Sequence, residues 1–190
     1  MIIMLTNALR LTLLLGILTG LVYPLLTTWL AQTLFPQQAN GSLLQREGQL
    51  VGSALIGQPF TSPGYFWSRP SAVEYHADGS GGSNLGPLNP QLTHTLQQQL
   101  PHWPQRDVTV PVPVDLVTRS ASGLDPHLSP AAVYYQVPRV AAARQLPNSV
   151  LTALVDALVE RPLLGSPVVN VLRLNLMLDR LSARAQATTE

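Results

Sequence analysis

Between Arg10 and Arg46 the chain carries no charged residue, and from Leu11 to Phe35 it reads LTLLLGILTGLVYPLLTTWLAQTLF. About 20 mostly apolar residues let a helix cross a hydrocarbon core of about 30 Å. The stretch predicts a transmembrane helix over 11–35, with some length left for tilt. A cleaved signal sequence with Arg10 as its basic end is the competing reading. The apolar run exceeds the usual h-region of about 7–15 residues, and Ala31-Gln32-Thr33 is a poor small-x-small cleavage site. An uncleaved anchor is therefore expected. Pro24, near the middle, should kink the helix, while Trp29 and Phe35 lie toward the far end, where aromatics suit an interface. Thr12, Gly16 and Gly20 recur every fourth residue and share one face, where a second backbone can approach closely.

Beyond this segment the pattern changes repeatedly. Ser42–Gln45 and Gln49–Ile56 flank Arg46-Glu47-Gly48 and read as a β-hairpin with a glycine turn. Residues 59–90 are dense in Pro, Gly, Ser and Asn; a loop of that length is expected to be ordered and functional. Asn89-Pro90 is an N-cap followed by proline at the first helical position, opening a helix to about Leu100 with Leu92, Leu96 and Leu100 on one face. Val108, Val110, Val112 and Val114 alternate within a Pro-rich stretch, as in an edge strand. Ser129-Pro130 starts a helix over 131–144 that Pro138 must kink or divide. Helices are also predicted over 149–160, burying Val150, Leu151, Leu154, Val155 and Leu158, and around 174–185. The fold class is α+β: one N-terminal transmembrane helix, then a single mixed domain over 36–190 with a hairpin, long ordered loops and several helices.

Charge sharpens this division. Charged residues make up 11% of the 190-residue chain, about half the usual share, and only Arg10 precedes the domain. Eleven arginines and no lysine face ten acids, for a net charge of +1. That balance offers no field for nucleic acid. The absence of cysteine excludes disulfides, Fe–S clusters, thiol catalysis and thiolate-held zinc. Arg10 and the terminal amine precede the apolar segment, and Arg46 is the first basic residue after it. The bias is slight and points to a cytoplasmic N-terminus with the domain outside the cytoplasm.

Chemistry-bearing patterns are few. Ser122, Asp125 and His127 lie close together in SASGLDPH and could serve a membrane-anchored extracytoplasmic hydrolase, although the Gly-x-Ser-x-Gly elbow is absent. Asp125 and His127 supply two metal ligands without a third. Ser122-Gly123 and Asp125-Pro126 read equally as turn chemistry. His76, His94 and His102 have no metal spacing. Ser80-Gly81-Gly82-Ser83-Asn84 can turn several amides toward an anion, while the lack of lysine excludes a P-loop. Arg69 could grip a carboxylate or phosphate bidentately, or fix a loop by a salt bridge. A plain anchored binding module is a further reading.

Longer motifs add a resemblance. Phe66-x-x-Arg69-Pro70-Ser71-Ala72, Ser80-Gly81-Gly82-Ser83-Asn84-Leu85 with Asn89-Pro90, and Asp115-Leu116-Val117-Thr118 with Ser120-Ala121-Ser122-Gly123-Leu124-Asp125-Pro126-His127 resemble the C-subunit family of the Kdp-type potassium-transporting ATPase. Gln136-x-Pro138-Arg139-Val140-Ala141 and Val168-Val169-Asn170 match as well, so that the resemblance runs from the membrane segment to Leu181. It implies a non-catalytic subunit of a P-type pump in the bacterial inner membrane. The implied partners are a channel-like A subunit, an ATP-hydrolysing B subunit, a small F subunit and membrane lipid. The implied role is to stabilise assembly and raise the B subunit's affinity for ATP, with no tightly bound cofactor. The resemblance also makes Ser80–Asn84 a candidate nucleotide-contacting loop, likened to the ABC signature, although Asn84 stands where that signature has Gln. With the domain outside the cytoplasm, the effect on ATP would be allosteric.

Overall fold

The structure, a computed structural model, describes residues 1–103 and 110–187, with side chains in the last helix as far as Ala183. The chain divides into two compact units, Met1–Leu44 and Gln45–Glu190.

The first unit is dominated by one continuous helix, Ile2–Leu34, 33 residues long and apolar enough to cross a membrane. It begins at Ile2 rather than Leu11, because Arg10 limits the uncharged run and not the helix. It comprises α1 (Ile2–Ile17), a π-turn (Leu18–Val22) and α2 (Tyr23–Leu34). The π-turn ends where the Tyr23 N–H donates to the Leu18 carbonyl. Pro24 follows at once; it has no N–H, and its ring crowds the carbonyl four residues back. The wider turn therefore relieves a conflict that would otherwise break the helix. Thr6, Thr19, Thr27 and Thr33 donate their hydroxyls to carbonyls four residues earlier, at 2.7–3.0 Å, so these four hydroxyls are satisfied within the helix itself. The helix ends before Phe35, and a single turn, α3 (Pro36–Ala39), follows.

β1 (Leu43–Arg46) and β2 (Gln49–Ser53) form a two-stranded sheet. Their turn places Glu47 at φ 52° and Gly48 at φ 79°, the two left-handed positions that a tight hairpin matched to strand twist requires.

In the second unit, α5 (Pro130–Arg144), α6 (Asn148–Leu158) and α7 (Val171–Ala187) pack around a three-stranded antiparallel sheet in the order β3-β5-β4. β3 is His127–Leu128, β4 Val159–Glu160 and β5 Val168–Asn170; Leu128 and Val159 both pair with Val169. The core joins Val133, Val137 and Val140 of α5 to Leu151 and Val155 of α6 and to Leu174 and Leu178 of α7, closed by Phe66, Leu116 and Val169. α4 (Pro90–Gln99) starts as the sequence suggests, with Asn89 Oδ1 accepting from the Gln91 N–H at 2.9 Å. α5 starts with Ser129 Oγ accepting from the Ala132 N–H at 3.3 Å.

Several expectations are corrected. Pro138 does not divide α5, which runs unbroken from Pro130 to Arg144; the proline removes one ladder bond, and the buried valines hold the rest. The helix expected over 149–160 ends at Leu158, because Val159 and Glu160 pair with β5. α7 begins at Val171, where Asn170 Oδ1 accepts from the Arg173 N–H at 3.1 Å. Of the expected valine edge strand, Val108 lies outside the described residues, Val110–Pro113 is not strand, and Val114–Leu116 forms a 3-10 turn. Pro111 and Pro113 remove the donors such a strand would need.

Candidate functional site

The loop over 59–90 is fixed by side chains from distant helices. Gln136 on α5 accepts from the Trp67 N–H at 2.8 Å and donates to the Trp67 carbonyl at 3.1 Å. Asn175 on α7 does the same for Phe66, at 2.9 Å in both directions. These amides, 1% and 2% exposed, stand in for the strand partner that the Phe66-Trp67 backbone lacks, as buried peptide groups require. Arg139 adds a bond of 2.7 Å to the Pro63 carbonyl and 2.8 Å to Gln136 Oε1 while stacking 4.0 Å over the Trp67 ring. Burial lowers its guanidinium to about 10, which leaves it charged at neutral pH.

A second junction is built on Asp179 of α7. Its carboxylate accepts from Arg46 at 2.8 Å, Arg144 at 2.7 Å and Tyr65 at 3.0 Å. Arg144 also donates to the Gly64 carbonyl at 2.8 Å. One carboxylate thus gathers the hairpin, α5 and the loop.

The motif residues Arg69–Ser71 and Ser122–Pro126 fall on a third feature, a seam between 57–84 and 118–127. The Gly81 N–H and the Ser80 hydroxyl both donate to the Ser122 carbonyl, at 2.9 and 3.0 Å. A methyl on Gly82 would sit 2.8 Å from the Ala121 carbonyl. Gly123, at φ +69°, has Val73 and the Gly81 carbonyl where a side chain would start. Ser71 donates to the Gly123 carbonyl at 2.7 Å and accepts from the N–H groups of Val73 and Tyr75 at 3.1 Å. Burial raises the Tyr75 phenol to about 12, and its hydroxyl donates to the Arg69 carbonyl. Asn84 turns at φ 52°. Ser80–Asn84 is therefore the zipped edge of a loop pair, with the Gly81 amide committed to the Ser122 carbonyl.

Arg69 reaches Asp125, Thr118 and the Arg119 carbonyl, each at 3.4 Å. Asp125 Oδ1 accepts from the His127 N–H at 3.0 Å. Burial pushes this carboxyl up, but the His127 hydrogen bonds and the Arg69 charge outweigh it and hold the group below its ordinary range. Leu55, Arg69, Ser120, Leu124 and His127 line an open groove of about 670 Å³.

The structure brings Ser122, Asp125 and His127 to one loop but not into a triad. The Ser122 hydroxyl accepts from the Leu124 N–H at 3.1 Å, a local turn, while His127 Nδ1 faces Asp125 at 3.5 Å. Nucleophile and base are not paired, and nothing supports the hydrolase reading. Among the described residues no third metal-type ligand joins Asp125 and His127. Pro70 and Pro126 lie within the two segments of this seam. Thr12, Gly16 and Gly20 lie on the exposed N-terminal helix, and a methyl at either glycine would meet nothing within 4 Å.

Sequence reasoning missed Gln136, Asn175 and Asp179 as organisers. The signal available was polar identity inside an apolar stripe: Gln136 falls between Val133 and Val137, and Asn175 between Leu174 and Leu178, on faces that otherwise bury hydrocarbon.

Residues 5–180 match the family described as KdpC: K+-transporting ATPase, c chain. The chain is 53% identical over 173 residues to the potassium-transporting ATPase KdpC subunit of Burkholderia ambifaria, covering 87% of this chain and 90% of that one. It is 49% identical to the KdpC subunit of Photorhabdus laumondii, covering 97% of this chain and 100% of that one. Against the KdpC subunit of Polaromonas naphthalenivorans the identity is 54% over 182 residues, with 92% and 93% covered. The chain belongs to the KdpC family.

Proposed function

We propose that this KdpC-family subunit is a non-catalytic partner within a potassium-transporting ATPase, anchored in the inner membrane by its N-terminal helix. In this reading, phosphorylation and ATP hydrolysis belong to a catalytic B subunit, potassium selection to a channel-like A subunit, and a small F subunit completes the complex. The helix docks among membrane partners through the face of Thr12, Gly16 and Gly20, and the mixed domain lies outside the cytoplasm. From there the subunit stabilises the assembly and favours the pump conformation that binds ATP well, so its effect on nucleotide is allosteric.

The observation that carries the allosteric reading is the seam between Ser80–Asn84 and Ala121–Gly123. An anion cradle needs several convergent backbone N–H groups. Here the Gly81 N–H is spent on Ser122, and Gly82 lies against the Ala121 carbonyl too closely for a side chain. Glycine and serine at these positions are explained by loop-on-loop packing without a nucleotide.

The test compares membranes holding the other subunits with and without this chain, following ATPase rate against ATP concentration and labelling with a photoreactive ATP analogue. Adding the chain should lower the KM for ATP several-fold while the label stays on the catalytic subunit. Saturable label on this chain, abolished by Gly82→Val, would establish direct contact instead.

A further inference from the structure

We propose that the tip of the β4–β5 hairpin is an apolar knob that seats in an apolar pocket on another subunit of the same potassium-transporting ATPase, an inference that rests on the subunit reading above. The tip is the segment 161–167, Arg161-Pro162-Leu163-Leu164-Gly165-Ser166-Pro167. Leu163 is 99% and Leu164 87% exposed. Single exposed leucines are ordinary, but two adjacent ones at a hairpin turn, with no neighbour among the described residues to cover them, form a contact surface without its partner.

The stem beneath is stiff. Val159 pairs with Val169 and Glu160 with Val168, Val169 is buried in the core, and Glu160 holds Arg173 at 2.9 Å. Pro162 and Pro167 restrict both arms, and Gly165 turns at φ 110°. The leucines are thus held out on a preorganised support, which lowers the entropy lost when they are bound.

Size and charge select the occupant. Two leucines offer on the order of a few hundred Å² at most, whereas a free-standing interface takes about 800 Å² from each partner. The tip cannot hold a second copy of the chain by itself; it suits a neighbour already held nearby by another contact, as a co-subunit in the same membrane complex is. A lipid surface fits poorly, because Arg161 is the only charge on the tip and stable interfacial binding draws on a basic cluster.

The experiment uses the full chain in membranes with the whole ATPase, with benzoylphenylalanine in place of Leu164. Irradiation should give a covalent adduct with another protein subunit. In parallel, Leu163→Asp/Leu164→Asp should leave a tagged complex at least tenfold faster during detergent washing, while Leu163→Met/Leu164→Met should be retained like the wild type. Adducts with lipid alone, or an aspartate variant retained like the wild type, overturn the proposal. A wild-type chain that fails to co-purify with any subunit overturns the subunit reading as well, whereas firm wild-type co-purification beside an unaffected aspartate variant removes only the knob.

Discussion

The N-terminal helix and the loop over 59–90 solve the same problem in opposite ways. Both contain backbone polar groups that need partners. In the helix each partner lies within about five residues: the ladder itself, the π-turn at Pro24, and threonine hydroxyls returned to the preceding turn. In the loop, Phe66 and Trp67 depend on amides 109 and 69 residues away in sequence. A helix in lipid must be locally self-sufficient; a loop in a folded domain can borrow. The helix should therefore tolerate point changes that leave its hydrophobicity intact, and the loop should fail when a single distant amide is lost.

The largest effect is expected at those amides. Asn175→Leu keeps the branching at Cγ but leaves the Phe66 N–H and carbonyl buried without partners, each of which costs about 1–3 kcal/mol. The domain should lose about 3 kcal/mol or more in denaturant unfolding followed by Trp67 and Trp103 fluorescence. Next comes the seam. Gly123→Ala places a methyl 2.5 Å from Val73 at a left-handed φ, and a loss of about 2 kcal/mol is expected in the same measurement. Asp179→Asn weakens the junction of Arg46, Arg144 and Tyr65; about 1–2 kcal/mol is expected, with a further drop in Tm at high salt smaller than the wild type shows.

How much of this was legible in sequence follows the same contrast. The long apolar helix, the hairpin turn at Glu47-Gly48 and the caps at Asn89 and Ser129 are local, and residue types carry them directly. β3, β4 and β5 are two or three residues long, too short to display an alternation, and exist only because Val169 has a partner on each side. The seam was half legible: its glycines and serines could be read as an anion loop or as a tight turn, while the packing of Ala121–Gly123 against them joins positions far apart in the sequence and leaves no local mark. Asp179, Gln136 and Asn175 were hidden because a polar residue in an amphipathic helix shows which face it occupies only when its partners are known.

Smaller effects sharpen the comparison. The Asp125 carboxyl has a lowered folded-state pKa, so the stability it contributes is fully present above the ordinary carboxylate value of about 3.9 and is lost as pH falls through the folded value. The gap in Tm between the wild type and Asp125→Asn should be open near neutral pH and close below about pH 4. The smallest effect on the domain belongs to the helix. Gly16→Leu/Gly20→Leu meets no atoms within the chain, so the unfolding of the domain should not change, whereas retention of membrane partners should fall. A change in domain stability without loss of partners would reverse the roles assigned to the two regions.

The side of the membrane on which the domain lies tests the central claim most directly, since a domain away from cytosolic ATP can act on nucleotide binding only through the pump's conformation. Protease added to sealed right-side-out vesicles should digest the region beyond Leu44, and inside-out vesicles should protect it. Digestion in inside-out vesicles, with protection in right-side-out ones, would place the Ser80–Asn84 loop within reach of ATP and contradict the account.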